Sequence, residues 1–272
     1  MIKLIAIDLD GTLYNSDHQL TQPGREAVWK AKDAGLQPVI VTGRGRRGAE
    51  NALNLLEMDL PYICSAGALL RSGLDGETIH AWTFHHHDEL MPLITFTRHN
   101  GTGLIAESPE GTAYWFGPDA MSTVFDPLTL KESVRSFDPE KDFDRPLLKF
   151  TVAAETKLLA KAEEVIQAEC PSLHYVYSGV QYIDLTVDGA NKGSALHELA
   201  LRLNLQPDEI AAIGDQSIDM QMLEYAGLPI AMANAVPTLK AVAKWIAPSN
   251  DDNGVGWAID EIIKQNMLES SL

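Results

Sequence analysis

The run Ile2-Lys3-Leu4-Ile5-Ala6-Ile7-Asp8-Leu9 constrains this chain more than any other segment. It is short, rich in β-branched residues and almost continuously apolar, as a strand buried on both faces of a parallel sheet must be. It ends abruptly in Asp8-Leu9-Asp10-Gly11-Thr12. Two carboxylates two positions apart on an extended chain face opposite sides. Here the strand ends between them, and Gly11 lets the backbone turn so that both approach one ligand. A strand-ending turn with solvated acids is the plainer reading, and the metal-binding D-x-D of glycosyltransferases is another. No nucleotide-sugar site is evident to support the latter.

Strands and helices alternate beyond this turn. A helix is expected from about Pro23 to Gly35 with Thr21 as N-cap, then strand Pro38 to Val41, helix Arg46 to Glu57 and strand Tyr62 to Cys64. Such a β-α-β-α-β opening predicts a doubly wound α/β sheet. Around Asp75-Gly76 the pattern changes to a hairpin. Beyond it come a helix from Asp88 to His99, strands Gly103 to Glu107 and Thr112 to Phe116, and strand Leu147 to Val152. Helix Lys157 to Glu169 and strands His174 to Tyr177 and Tyr182 to Val187 complete an α+β module, with Pro139 to Pro146 as its mobile loop. The first pattern then returns, from helix Lys192 to Leu203 through strands Ile210 to Ile213 and Pro229 to Met232 to a last helix from Gly256 to Gln265. The predicted architecture is an α/β core, residues 1–82 plus 189–272, carrying an inserted α+β module, residues 83–188.

Three further segments bring chemistry to the same strand ends, where ligands bind in open α/β sheets. Asp215 and Asp219 lie in Gly214-Asp215-Gln216-Ser217-Ile218-Asp219, and oxygen-rich carboxylate groups suit Mg²⁺. Thr42-Gly43 offers a hydroxyl and a backbone N–H before a helix, a corner that accepts phosphate. Lys192 opens a helix; alone it reads as a surface lysine, but beside the others it is a cation for a transferring phosphoryl group.

Together these segments resemble the haloacid dehalogenase-like superfamily, specifically its Cof-type branch. Asp8-Leu9-Asp10-Gly11-Thr12, Thr42-Gly43-Arg44, Lys192-Gly193 and Gly214-Asp215 with Asp219 follow the family's motif order. Ala231-Met232-Ala233-Asn234-Ala235 and Asp252-Asn253-Gly254-Val255 are similar to two later segments of the branch, and the inserted module matches its cap. The resemblance implies a Mg²⁺-dependent phosphatase of small phosphorylated metabolites, such as a sugar phosphate or a nucleotide-like monophosphate. It makes Asp8 the nucleophile of an aspartyl-phosphate and Asp10 the general acid and base. Asp8, Asp215 and the main-chain carbonyl of Asp10 hold the metal. Leu9, Thr42, Gly43 and Lys192 cradle the phosphate, and Asp219 supports Lys192 or a metal-bound water. Two positions depart from the family: Ile218 and Ala66 stand where Asn is usual. A phosphomutase and a non-catalytic ligand-binding relative are the alternatives.

Several features carry plainer readings. His85-His86-His87 reads as a polar entry to the module rather than a metal cluster, because consecutive side chains diverge. Tyr114-Trp115-Phe116 reads as core or sheet face, Asn250 to Asn253 as a solvated loop, and Cys64 as a buried apolar residue. With 21 Lys+Arg against 38 Asp+Glu, the net charge of −17 argues against a nucleic-acid partner. No run approaches the roughly 18 apolar residues of a membrane span. Two cysteines suit a reducing compartment. A cytoplasmic monomer or small homo-oligomer is expected.

Overall fold

The computed structural model describes residues 1–84, 90–117, 134–136, 138, 142 and 145–271 of the chain. His85 to His87 lie outside the described residues, as do the start of the helix expected from Asp88 and most of the Pro139–Pro146 stretch.

Two sheets organise these residues. The first contains β1 (Leu4–Ile7), β2 (Gln37–Val41), β3 (Tyr62–Cys64), β4 (Leu69–Arg71) and β5 (Thr78–Ala81) from the first part of the chain. From the last part come β12 (Ile210–Gly214), β13 (Leu228–Met232) and β14 (Trp245–Ala247), in the order β14-β13-β12-β1-β2-β3-β4-β5. The strands from β14 to β3 run parallel; the hairpin of β4 and β5 extends that sheet with antiparallel strands at its edge. All four residues of β1 are buried, as their unbroken apolar run requires.

Helices α1 (Gln22–Asp33), α2 (Arg46–Leu56), α5 (Lys192–Leu203), α6 (Met220–Tyr225), α7 (Pro237–Val242) and α8 (Gly254–Glu269) belong to this part of the chain. Helix α1 packs on α8, and α5 packs on α6. The Thr21 side chain caps α1 by accepting the Gly24 N–H. The chain leaves β1 towards β2 on one side and returns through β12 on the other. The strand order therefore reverses between β1 and β12, where doubly wound sheets bind ligands.

The second sheet is built from β6 (Gly103–Glu107), β7 (Ala113–Phe116), β8 (Val134–Ser136), β9 (Lys149–Ala153), β10 (Leu173–Gly179) and β11 (Tyr182–Val187), in the order β10-β11-β9-β6-β7-β8. Helices α3 (Met91–Asn100) and α4 (Thr156–Glu169) pack on each other and share its separate apolar core.

Two helix starts have identifiable causes. Helix α6 is led in by a tight turn over Ser217–Asp219, because the Asp219 carboxylate turns back to accept the N–H groups of Asp215 and Gln216. The last helix is longer than expected, Gly254–Glu269, with Gly254 tucked where a Cβ would strike the Pro248 carbonyl.

Candidate active site

The carboxyl ends of β1, β2 and β12 and the start of α5 open into one cavity of about 820 Å³ between the two sheets. Asp8, Asp10, Gly43, Lys192 and Asp215 all line it. Thr42 and Asp219 lie fully buried just behind, and Leu9 sits between the two first carboxylates with its carbonyl accepting from Thr12 and Tyr14. The sequence-predicted set is thus brought together around one space.

The centre of the site is a buried chain of charges. Lys192 is 0% exposed and donates to Asp8 Oδ1 and to Asp219 Oδ1, each at 2.6 Å. Its third hydrogen has no partner among the described residues. The second oxygen of Asp219 is spent on the backbone N–H groups of Asp215 and Gln216, both at 3.0 Å. Asp219 therefore orients Lys192 and the turn, with little capacity left for a metal. Asp215 accepts from Thr12 Oγ1 and Gln216 Nε2, each at 3.0 Å. Gly11 lets the carboxylate of Asp215 approach, since a Cβ there would strike it.

Electrostatics show what the centre lacks. Asp8, Asp215 and Asp219 each present an oxygen within 4.8 Å of the others, against a single ammonium. Burial, then the Asp219 charge, then Asp215, push the Asp8 carboxyl above its usual range despite Lys192. Burial and Asp219 likewise raise Asp215 to about 6. An all-oxygen donor set short of positive charge fits a hard divalent cation. Asp219 takes three hydrogen bonds, whereas Asp215 takes two and Asp8 one, so Asp8 and Asp215 keep more lone pairs with which to hold one. The turn bonds of this loop end on the carbonyls of Asp8 and Leu9, so that of Asp10 is unspent among the described residues.

The carboxylate of Asp10 does not join that cluster. Arg44 grips it with Nε to Oδ2 at 2.6 Å and Nη2 to Oδ1 at 2.5 Å, and His18 Nδ1 approaches Oδ1 at 3.1 Å. Burial raises the Asp10 pKa, but Arg44 and then His18 outweigh it and the net direction is down. Arg44 was legible as part of the Thr42-Gly43-Arg44 turn, yet nothing local showed which acid it would reach. His18, at φ 57°, is placed by the loop that Ser16 ties to Asp251 and Asn250 ties to Tyr14. The Asn250–Asn253 segment is thus a brace rather than a free loop, and Asn234 adds to it by donating to the Gly11 carbonyl.

The two departures have structural settings. Ile218 faces Gly43, its Cδ1 3.4 Å from where a Cβ would stand. Ala66 sits at φ 59°, ψ 23°, the left-handed region in which Asn is tolerated and Ala is strained. Of the other features, Tyr114 is buried in the second core and none of Tyr114, Trp115 and Phe116 lines the cavity, which agrees with the core reading. Cys64 is fully buried, and burial pushes its thiol pKa up, leaving it inert.

A family model described as haloacid dehalogenase-like hydrolase matches residues 5–259. The chain belongs to this family. In sequence, it is 28% identical over 289 residues to phosphatase YwpJ of Bacillus subtilis, covering 96% of this chain and 100% of the relative. It is 29% identical to 5-amino-6-(5-phospho-D-ribitylamino)uracil phosphatase YwtE of the same organism, covering 96% and 98%. In fold, it superposes on a haloacid dehalogenase-like hydrolase from Bacteroides thetaiotaomicron with a TM-score of 0.85 at 24% identity, covering 96% of this chain and 100% of that one. No described helix of this haloacid dehalogenase-like chain is long and apolar enough to cross a membrane.

Proposed function

We propose that this chain is a Mg²⁺-dependent phosphatase of small phosphorylated metabolites that works through an aspartyl-phosphate on Asp8. The observation that carries the reading is the Asp8–Lys192–Asp219 chain of contacts facing Asp215 in one cavity. Relatives named as phosphatases, one of them for a phosphorylated ribitylaminouracil, support it.

Lys192 holds Asp8 Oδ1, and Asp8 Oδ2 has no partner among the described residues. Asp8 thus presents one restrained and one open oxygen, the arrangement a carboxylate nucleophile needs. A cation held by Asp8, Asp215 and the Asp10 carbonyl supplies charge that lets two anions, carboxylate and phosphate, approach. The remaining Lys192 hydrogen, the Thr42 hydroxyl and the Leu9 and Gly43 N–H groups are the donors assigned to the phosphate oxygens. Attack by Asp8 on phosphorus breaks the ester P–O bond, and the leaving alkoxide takes its proton from Asp10. Asp10, now ionised, takes a proton from the water that cleaves the aspartyl-phosphate. Released phosphate restores Asp8 as a carboxylate.

The same proposal divides the chain into a catalytic core, residues 1–82 plus 189–272, and a cap, residues 83–188, which covers the leaving group. The test is phosphate release from a panel of sugar phosphates and nucleoside monophosphates, with Mg²⁺ and with excess chelator. Turnover is expected only with Mg²⁺, and Asp8→Asn is expected to abolish it while leaving a folded protein. A phosphomutase would instead return the phosphoryl group to the sugar and release little phosphate, and a non-catalytic relative would release none.

A further inference from the structure

One buried lysine of the inserted sheet reaches the phosphate corner of the core. Lys149 opens β9 and is 4% exposed. Its three ammonium hydrogens face three oxygens: the Gly43 carbonyl at 2.9 Å, Asp184 Oδ2 at 3.2 Å and Glu107 Oε1 at 3.3 Å. Strand register explains the set. Glu107 on β6 lies directly opposite Lys149. Asp184 on β11 lies opposite Thr151, whose hydroxyl donates to Asp184 Oδ1 at 2.6 Å. Glu107 makes a second tie to the core, its Oε2 accepting from Ser65 Oγ at 2.8 Å.

Stability alone does not account for such a cluster, since a buried ion group is often no better than well-packed apolar side chains. Nor is Lys149 placed to bind a ligand directly. It lines the cavity, but its hydrogens are already directed at Gly43, Asp184 and Glu107. Burial works against its charge, yet Asp184 and Glu107 hold its pKa above the usual value, so it stays an ammonium.

What the cluster fixes is the Gly43–Arg44 peptide. Its carbonyl accepts from Lys149, and its N–H donates to Thr42 Oγ1 at 3.1 Å. The Thr42 oxygen is thereby occupied as an acceptor inside the turn, which leaves its hydroxyl hydrogen to be donated elsewhere. We propose that Lys149 is a positioning residue of the phosphate cradle, pinning the Gly43 carbonyl so that the Thr42-Gly43-Arg44 turn is aligned only when the inserted sheet is docked. Docking of the cap and grip on the phosphate are then one event. The inference rests on the phosphatase reading above.

The test compares wild type with Lys149→Met/Glu107→Gln, which removes the ammonium together with one of its carboxylates, and with Asp184→Asn. Each is assayed with p-nitrophenyl phosphate and with a larger sugar phosphate, with inorganic phosphate as competitor and thermal melting to set a temperature at which all are folded. Loss of one hydrogen bond to the cradle predicts an inhibition constant for phosphate raised about tenfold in the double variant. KM is expected to rise by the same factor for both substrates, with kcat changed less. An unchanged phosphate constant overturns the proposal. If KM then rises only for the larger ester, Lys149 serves the leaving group; if nothing moves but the melting temperature, it is structural.

Asp184→Asn covers the case in which the double variant does not fold. Weaker phosphate binding is expected, because Lys149 loses part of its aim. Unchanged or tighter binding overturns the proposal, and tighter binding would mark Lys149 as a cation acting on phosphate directly. Binding of phosphate in the presence of Mg²⁺ by calorimetry reads Lys149 even if wild type hydrolyses no ester, so failure of the phosphatase reading is seen separately.

Discussion

Arg44 holds both carboxylate oxygens of Asp10 while the neighbouring acids, Asp8 and Asp215, are left to Lys192 and Thr12. Two acids two residues apart are thus tuned in opposite directions, Asp8 upwards and Asp10 downwards. A guanidinium that grips a carboxylate in this way also suits phosphate, so on the phosphatase proposal an incoming phosphate dianion would compete with Asp10 for it. On the phosphatase proposal, release of Asp10 by Arg44 would let Asp10 regain a proton and act as the acid.

That relationship sets the pH dependence. Arg44 lowers the Asp10 pKa, so Arg44→Gln is expected to raise it. The alkaline limb of the kcat/KM profile, where Asp10 loses the proton it must donate, should move to higher pH in the variant, alongside a lower plateau from weaker phosphate binding. A pH–rate series on both proteins checks this; a limb that stays in place or moves down would show that Asp10 does not set it.

A second prediction comes from Asp215, whose pKa rises from 3.8 to about 6 in the folded protein. The folded state then binds the proton more tightly than the unfolded state. Metal-free stability is therefore expected to be full below pH 4 and to fall as pH rises through about 6. A shift of about two units corresponds to roughly 3 kcal/mol. Asp215→Asn should be more stable than wild type in chelator at pH 7.5, by up to that amount, with the gap closing below pH 4. Mg²⁺ should stabilise wild type and not the variant. Denaturant titrations across pH measure all three, and equal stabilities at pH 7.5 would contradict the argument.

Ile218 gives a third. It presents apolar surface towards Gly43, and on the phosphatase proposal an amide at this position would donate to a phosphate oxygen. Gln216, one possible substitute donor, is already committed to Asp215, which leaves the cavity-lining Ser217. A hydrogen bond to a charged group contributes roughly 1.5–3 kcal/mol. Ile218→Asn is expected to lower KM for small phosphate esters by about tenfold or more on that basis, with less effect on larger ones. Steady-state kinetics on a folded variant decide it. An unchanged KM would mean that the cradle is already satisfied.

Ala66 gives a fourth, in stability rather than activity. Ser65, Ala66 and Gly67 all carry positive φ, and a Cβ at Gly67 would collide with the Asn191 carbonyl ahead of Lys192. The loop is pressed into this shape by the helix that carries Lys192. A left-handed non-glycine residue costs roughly 1–2 kcal/mol, of which about 0.5–1 is offset when glycine's own entropy is counted. Ala66→Gly should therefore stabilise by about 0.5–1 kcal/mol, and Ala66→Asn by a similar amount, in urea denaturation. Destabilisation by both would show that the Ala66 methyl packs usefully.

The sequence by itself determined the doubly wound core and the membership of its charged centre. Both are written locally: Leu4 to Ile7 must be buried on both faces, and Asp8, Thr42 and Asp215 each lie just beyond a buried strand. Helix α5, Lys192–Leu203, was likewise legible from its apolar spacing and its start. Lys149, Thr151 and Asp184 had a weaker signal, polar residues at alternate positions of two strands, which marks a face but not what that face meets. Only the tertiary structure decided that Arg44 takes Asp10, that Asp219 is used up by Lys192 and two backbone N–H groups, and that Lys149 reaches Gly43 across 106 residues. Burial patterns are carried by neighbours in the chain. Which charge satisfies which depends on how two separately built sheets dock, and no local pattern encodes that.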